Sequence, residues 1–296
     1  MSDPRHTRAV LTMVLCTLLW SSAGVVTRHL DAAGGFELTF WRSLACALFI
    51  LALLVASRGR DWWRAIADTG RAGLLCGLMW AIMFTCFMVA LTITTVAKTL
   101  VVLSVAPLVA ALLAWVVLGE RIAPRTWAAI VLAGAGIVWM VADGLRSDDG
   151  RGSSLVGMLV ASGVPLAAAI NLVAMKKMRS SVDLVPAVFI GATLSCIAML
   201  PLIFPLQASG RDLLLLGGLG VFQLGLPCAM MIRATRWLTP QETALLALLE
   251  VVFGPLWAWL GAGEVPAPAT LAGGALILVA LLANQLLADR RILQRA

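Results

Sequence analysis

Of the chain's 296 residues, 61% are hydrophobic and 12% charged, about half the share of charge in a soluble globular chain, which excludes an ordinary soluble domain. The net charge is +7, yet the basic residues fall between apolar runs rather than in one patch, so nucleic-acid binding is not expected. The six cysteines (Cys16, Cys46, Cys76, Cys86, Cys196 and Cys228) all lie inside apolar runs without disulfide or metal-ligand spacing, and read as small packing groups with no metal or cofactor to hold.

Crossing ~30 Å of hydrocarbon takes roughly 20 helical residues. Ten runs meet that length, at 9–28, 36–57, 71–91, 94–118, 125–142, 155–174, 184–206, 212–232, 241–261 and 267–288. Lipid satisfies no backbone hydrogen bonds, so only helices and closed barrels span it, and barrel strands would alternate rather than run continuously. The expected fold is therefore all-α, integral to the membrane, with ten transmembrane helices.

The first run follows Arg5 and Arg8 but exceeds the apolar core of a signal peptide, and nine more follow it, so it reads as a retained helix. It carries Trp20 beside Ser21 and Ser22, a candidate aromatic wall. Arg42, two turns into the second run, has Glu37 one turn away, which predicts a structural pair near the membrane surface. The third run crowds Met79, Trp80, Met83, Phe84, Phe87 and Met88 into two turns; these soft side chains suit either a cavity for apolar ligands or plain helix packing.

Lys98 and Thr99 open the fourth run, where Lys98 either holds a substrate carboxylate or snorkels to the interface. Asn171 in the sixth run and Gln223 in the eighth can bind substrate or join helices. Glu250 stands midway along the ninth. A charge near the bilayer centre costs at least ~2.5–3.5 kcal/mol on insertion scales, so Glu250 is a functional candidate by default: it can bind an ammonium, carry a proton, or act as a protonated hydrogen-bonding group. Pro107, Pro165, Pro227 and Pro255 interrupt the fourth, sixth, eighth and ninth runs as candidate hinges or static kinks. Trp62, Trp63, Trp127 and Trp237 fall at run ends as interface anchors.

With the N-terminus placed in the cytoplasm, sixteen of the 22 Lys and Arg residues fall on the inner side. Arg28, Lys98, Arg146, Arg151 and Arg211 fall outside, and Arg42 lies within a span. This bias predicts both termini in the cytoplasm, in keeping with an even number of spans.

Shifting the chain by 144 residues overlays its halves. Ala114-Trp115-Val116-Val117-Leu118-Gly119-Glu120 falls on Ala258-Trp259-Leu260-Gly261-Ala262-Gly263-Glu264, and Ala123-Pro124-Arg125-Thr126 on Ala267-Pro268-Ala269-Thr270. Two repeats are expected, 9–142 and 155–288. Five helices being an odd number, the second must insert upside down. Two inverted copies can exchange conformations and so open alternately to either side, as transporters require.

The duplicated Gly-Glu-x₃-Pro corner, the Phe40-Trp41-Arg42 run and the five-plus-five arrangement resemble the drug/metabolite transporter superfamily. Within it, the chain is similar to the EamA-type exporters and to the YddG-type amino-acid exporters. One departure is that Glu250 is followed by Val251, where the family often has proline, and the proline comes at Pro255. The resemblance implies a secondary exporter in a bacterial inner membrane.

The residues point to small amphipathic metabolites as cargo, neutral or aromatic amino acids first: a zwitterion needs one group of each sign and an apolar pocket, which Lys98, Glu250, Asn171 and the third-run stripe would supply. The alternative cargo is a lipophilic cation or drug. Facilitated diffusion and proton exchange both remain open. No Walker motif is present, so direct ATP use is not expected. With only His6 and His29 as histidines and no GxSxG or HExxH, an intramembrane enzyme is not expected either.

Overall fold

The structure is a computed structural model that describes residues 4–31, 34–146, 154–178, 184–238 and 240–293. Of the basic residues used to orient the chain, Arg151, Arg179 and Arg295 lie outside the described residues. The chain runs through α1 (Pro4–Thr27), α2 (Gly35–Arg58), α3 (Trp62–Ala67), α4 (Gly70–Ile93), α5 (Val96–Ser104), α6 (Ala106–Leu118) and α7 (Pro124–Arg146). It continues through α8 (Ser154–Met178), α9 (Leu184–Met199), α10 (Gly210–Gly218), α11 (Leu226–Ala234), α12 (Pro240–Ala247), α13 (Leu249–Ala262) and α14 (Pro268–Leu293).

Among the described residues, eight helical stretches are long and apolar enough to cross a membrane, and Pro124–Met140 and Pro268–Asn284 are shorter apolar stretches. These last two lie inside the longer helices α7 and α14, 23 and 26 residues long. The fold is thus all-α and integral to the membrane. Two of its spans are split lengthwise: α5 with α6 forms the fourth, α12 with α13 the ninth. The eighth joins α10 to α11 through a π-helical segment, Leu219–Gly225.

The helices turn large apolar side chains outward and small ones inward. Leu214, Val116 and Val131 are among the exposed residues, while Ala9, Cys16 and Ala23 of α1 are buried. Hydrocarbon is as apolar as leucine, so helices associate in it through close backbone approach at small residues. Gly220 is the sharpest case. A Cβ there would fall on the carbonyl oxygen of Arg42 and 2.9 Å from the amide nitrogen of Cys46, so only glycine lets the π-helical segment lie against α2.

The repeat is visible in the corners. Gly119 and Gly263, at φ 68° and 66°, close α6 and α13 in the left-handed region that glycine alone enters cheaply. The next amides, Glu120 and Glu264, reach back to Ala114 and Ala258 at 3.5 and 3.1 Å. The helix breaks also correspond, at Val105 in the fourth span and Leu248 in the ninth. Pro107 is the second residue of α6, just past its break. The ninth-span break lies two turns ahead of Pro255, which sits within the unbroken α13. Pro165 is likewise inside unbroken α8, and Pro227 opens α11 directly after the π-helical segment.

We call the face where α1 begins the N-terminal face and the opposite one the far face. At the far face one apolar cluster binds residues of α1, α2, α4, α5, α8, α10 and α13, among them Ala23, Leu38, Leu91, Leu100, Val164, Leu216 and Ala258. Toward the N-terminal face the core divides. Ile50, Phe84, Val188 and Ile232 join α2, α4, α9 and α11, while Ala9, Met13 and Ala234 join α1 to α11. Both faces are knit across the two repeats, the far face through one cluster and the N-terminal face through two.

Gly220→Val should push the π-helical segment off α2. Overpacking of this kind costs about 1–3 kcal/mol, so the apparent melting temperature of the detergent-purified protein should fall, whereas Gly217→Val, with open space at its Cβ, should leave it nearly unchanged.

Candidate functional site

Between the halves lies a cavity of about 200 Å³. Its walls come from Trp20 of α1, Arg42 of α2, Trp80, Met83, Phe84 and Phe87 of α4, Leu103 of α5, Val164 of α8, Gln223 and Leu224 of the π-helical segment, Cys228 and Met231 of α11, and Glu250 of α13. The surface is mostly apolar and aromatic, with Arg42, Gln223 and Glu250 as its polar groups.

Arg42 is 1% exposed. One terminal nitrogen donates to Gln223 Oε1 at 3.0 Å and the other to the Phe84 carbonyl at 3.2 Å. The guanidinium also faces the Phe84 and Phe87 rings at 5.9 and 5.8 Å, a cation–π arrangement that favours charge away from water. Its Nε has no partner. Gln223 donates onward to the Trp20 carbonyl at 3.2 Å, which links α2, α4, the π-helical segment and α1. Such one-residue widenings of a helix recur at functional sites because they re-aim a side chain; here Gln223 is the side chain that reaches Arg42.

The expected Arg42–Glu37 pair is not made. Glu37 instead accepts from the Trp41 indole at 3.2 Å and from the Gln207 and Ala208 amides at 2.9 and 3.0 Å. It pins the far-face turn before α10, and Arg42 is left to the interior.

Glu250 is the second residue of α13, just past the break at Leu248. It sits where the helix dipole is positive, which favours a carboxylate. Among the described residues its carboxylate has no hydrogen-bond or ion-pair partner, and it lines the cavity.

Of the residues expected from sequence, Trp20, Trp80, Met83, Gln223 and Glu250 are brought together in the cavity, and Met79, Lys98, Thr99 and Asn171 are not. Met79 is packed in the protein and Lys98 is buried along α5. The Thr99 hydroxyl is spent on the Thr95 carbonyl at 3.0 Å. Asn171 lies beside Cys76, its Oδ1 buried without a partner. The cation of the cavity is Arg42, where the sequence had suggested Lys98. The signal for it was present: an arginine in an otherwise apolar span has to be paired with something inside the protein.

The sequence pattern of the EamA-like transporter family matches twice, over residues 7–142 and 155–284. The chain belongs to the EamA-like transporter family. It is 27% identical over 281 residues to the pseudopaline exporter CntI of Pseudomonas aeruginosa strains UCBPP-PA14 and PAO1, covering 93% of this chain and 94% of the relative. A solved structure, known only as a crystal structure of a protein, shares the fold at TM-score 0.62 and 22% identity, over 96% of this chain and 98% of that one.

In a transporter with repeated halves, matching ionic contacts at the two faces can be compared directly. At the far face Arg28, ending α1, gives Nε to Glu264 at 2.7 Å and its terminal nitrogens to the Leu91 and Thr94 carbonyls at 2.7 and 3.0 Å. Glu264 also accepts the Val96 amide at 2.7 Å. At the N-terminal face Lys176, near the end of α8, meets Glu120 at 2.5 Å. Glu120 and Glu264 correspond in the repeat, and so do the helices that carry the two cations. The far-face side chains are 20% and 11% exposed, the others 59% and 44%. The position matching Val96 is Pro240, which has no N–H to offer.

Removing one partner of a buried pair costs about 3–5 kcal/mol, while an exposed pair is worth about 0–1 kcal/mol. Arg28→Ala should therefore lower the apparent melting temperature by several degrees, and Lys176→Ala by much less, in the same detergent melt.

Proposed function

We propose that this transporter exports small zwitterionic metabolites, neutral and aromatic amino acids first among them, by alternating access through the central cavity. The observation that carries the reading is that Arg42 and Glu250, opposite in charge, line one small cavity with aromatic walls. A carboxylate without a partner in a membrane-buried cavity calls for a positive group, either a substrate ammonium or a proton. Arg42, with Nε unused, offers a donor to a substrate carboxylate. Trp80, Phe84 and Phe87 give the apolar side chain a surface to lie against. Export as the direction is favoured by the name of the relatives, which are exporters of pseudopaline.

The alternative cargo, a lipophilic cation or drug, would use Glu250 and the same rings. Size favours the metabolite, since drug-sized ligands occupy pockets of about 300–1,000 Å³ and this cavity holds about 200 Å³. The family resemblance supports a bacterial inner-membrane location, and the chain's Lys and Arg distribution supports both termini in the cytoplasm. On that orientation, the described conformation is closed outward by the Arg28 cluster, and its opening would follow release of that cluster.

Proteoliposome uptake tests the reading with labelled phenylalanine, tryptophan and threonine, with tetraphenylphosphonium as competitor, with and without a pH gradient. Uptake of the amino acids is expected, with little competition from the cation. Movement of the cation without movement of amino acids would overturn the reading in favour of the alternative. A gradient effect that disappears in Glu250→Gln, while transport persists, would assign the proton to that carboxylate. Charge-assisted hydrogen bonds are worth about 1.5–3 kcal/mol, so Arg42→Gln should raise the KM for phenylalanine about 10- to 100-fold. For phenethylamine, which lacks the carboxylate, the KM should change little.

A further inference from the structure

A second cavity, of about 390 Å³, opens at the N-terminal face between α1 and α11, outside the transport cavity. Arg5 and Arg8, one turn apart on α1, stand on one side and Arg233, in the last turn of α11, on the other; Thr12, Met230 and Trp237 complete its walls. No acidic side chain lines it among the described residues. Glu242, at the start of α12, is held by His6 at 2.7 Å. Arg5 lays its guanidinium over the Trp237 ring at 5.1 Å, which fixes it at the cavity's edge. Neither Arg8 nor Arg233 has a carboxylate partner among the described residues. Two guanidinium groups without a counter-charge among the described residues thus border one concavity, with Arg5 at its edge, an arrangement that favours an anion there.

Guanidinium forks match phosphate oxygens in geometry as well as charge. Two further features say where the phosphate comes from. Trp237 is an aromatic residue at the end of a span, the position at which indoles mark the headgroup level. Below Arg8 on the same ridge of α1, Leu11 and Leu15 follow at one and two turns and are 64% and 46% exposed, an apolar track leading from the arginines into the hydrocarbon. A soluble phosphate would have no use for that track.

We propose that this cavity is a binding site for one anionic glycerophospholipid. Its phosphodiester sits among Arg5, Arg8 and Arg233, and its acyl chains lie along Leu11 and Leu15. The site spans α1 and α11, one helix from each half, so the lipid adds to the apolar contact that Ala9, Met13 and Ala234 already make between the halves at this face. It is independent of the identity of the transported cargo.

The full-length protein, delipidated in a neutral detergent, is titrated with phosphatidylglycerol, phosphatidylcholine, glycerophosphoglycerol and inorganic phosphate while its thermal unfolding is followed. Native mass spectrometry counts the lipids retained. Phosphatidylglycerol should raise the melting temperature and remain bound one to one, and the other three should do neither. With each arginine near a membrane surface contributing about a five-fold factor, Arg8→Gln with Arg233→Gln should weaken phosphatidylglycerol about 30-fold. Arg8→Lys with Arg233→Lys, which keeps the charge, should retain most of the binding and reports on folding. An equal response to phosphatidylcholine, a phosphate response matching the lipid's, or an unchanged response in the glutamine pair would each overturn the proposal.

Discussion

Arg42 sits at a depth where the surroundings of the protein offer neither water nor counter-charge, and the helices around it supply both needs from within. Gln223 and the Phe84 carbonyl take its hydrogen bonds, and two phenyl rings face its charge. The suppliers sit on two other elements, so satisfying one guanidinium requires α2, α4 and the eighth span to meet at fixed positions. Gly220, one turn before Gln223, permits the approach. The π-helical widening then turns the amide toward the arginine. What looks like a substrate cavity is also the place where the fold answers its most expensive polar group.

The repeats give the fold its symmetry, and the ionic contacts show where that symmetry ends. Both halves close their fourth helix with a left-handed glycine and a glutamate, and both break that helix at corresponding positions. The far-face glutamate is buried and saturated, while its counterpart meets one lysine in the open. Packing differs between the faces too, with one apolar cluster joining the halves at the far face and two separate ones joining them at the other.

The ten spans, their all-helical character and the repeat were legible because each is written in local sequence: apolar length, a fixed offset, and a Gly-Glu corner seen twice. The cavity was half legible. Trp20, Trp80, Met83, Gln223 and Glu250 stood out as polar or aromatic groups in apolar runs, and they meet. Arg42 holds the cavity position expected of Lys98, because its partners lie on helices distant in sequence. Glu37 looked like the nearest answer to Arg42, but backbone amides of the turn before α10 reach it first. The break in the ninth span was equally hidden. Pro255 advertises a break, yet it lies within continuous α13, and Leu248, where the break falls, carries no such sign.

Pro240 stands where the other half has Val96. A ring closed on the backbone nitrogen removes one donor from one face, and no motion of the protein can restore it. On the proposed alternating-access cycle, the two open states would be held by unequal contacts, so the empty carrier would have a preferred side to wait on. A ligand can reverse that preference only by the amount it binds the second state more tightly than the first. On the same cycle, a cargo that fits the cavity loosely would be left where it began.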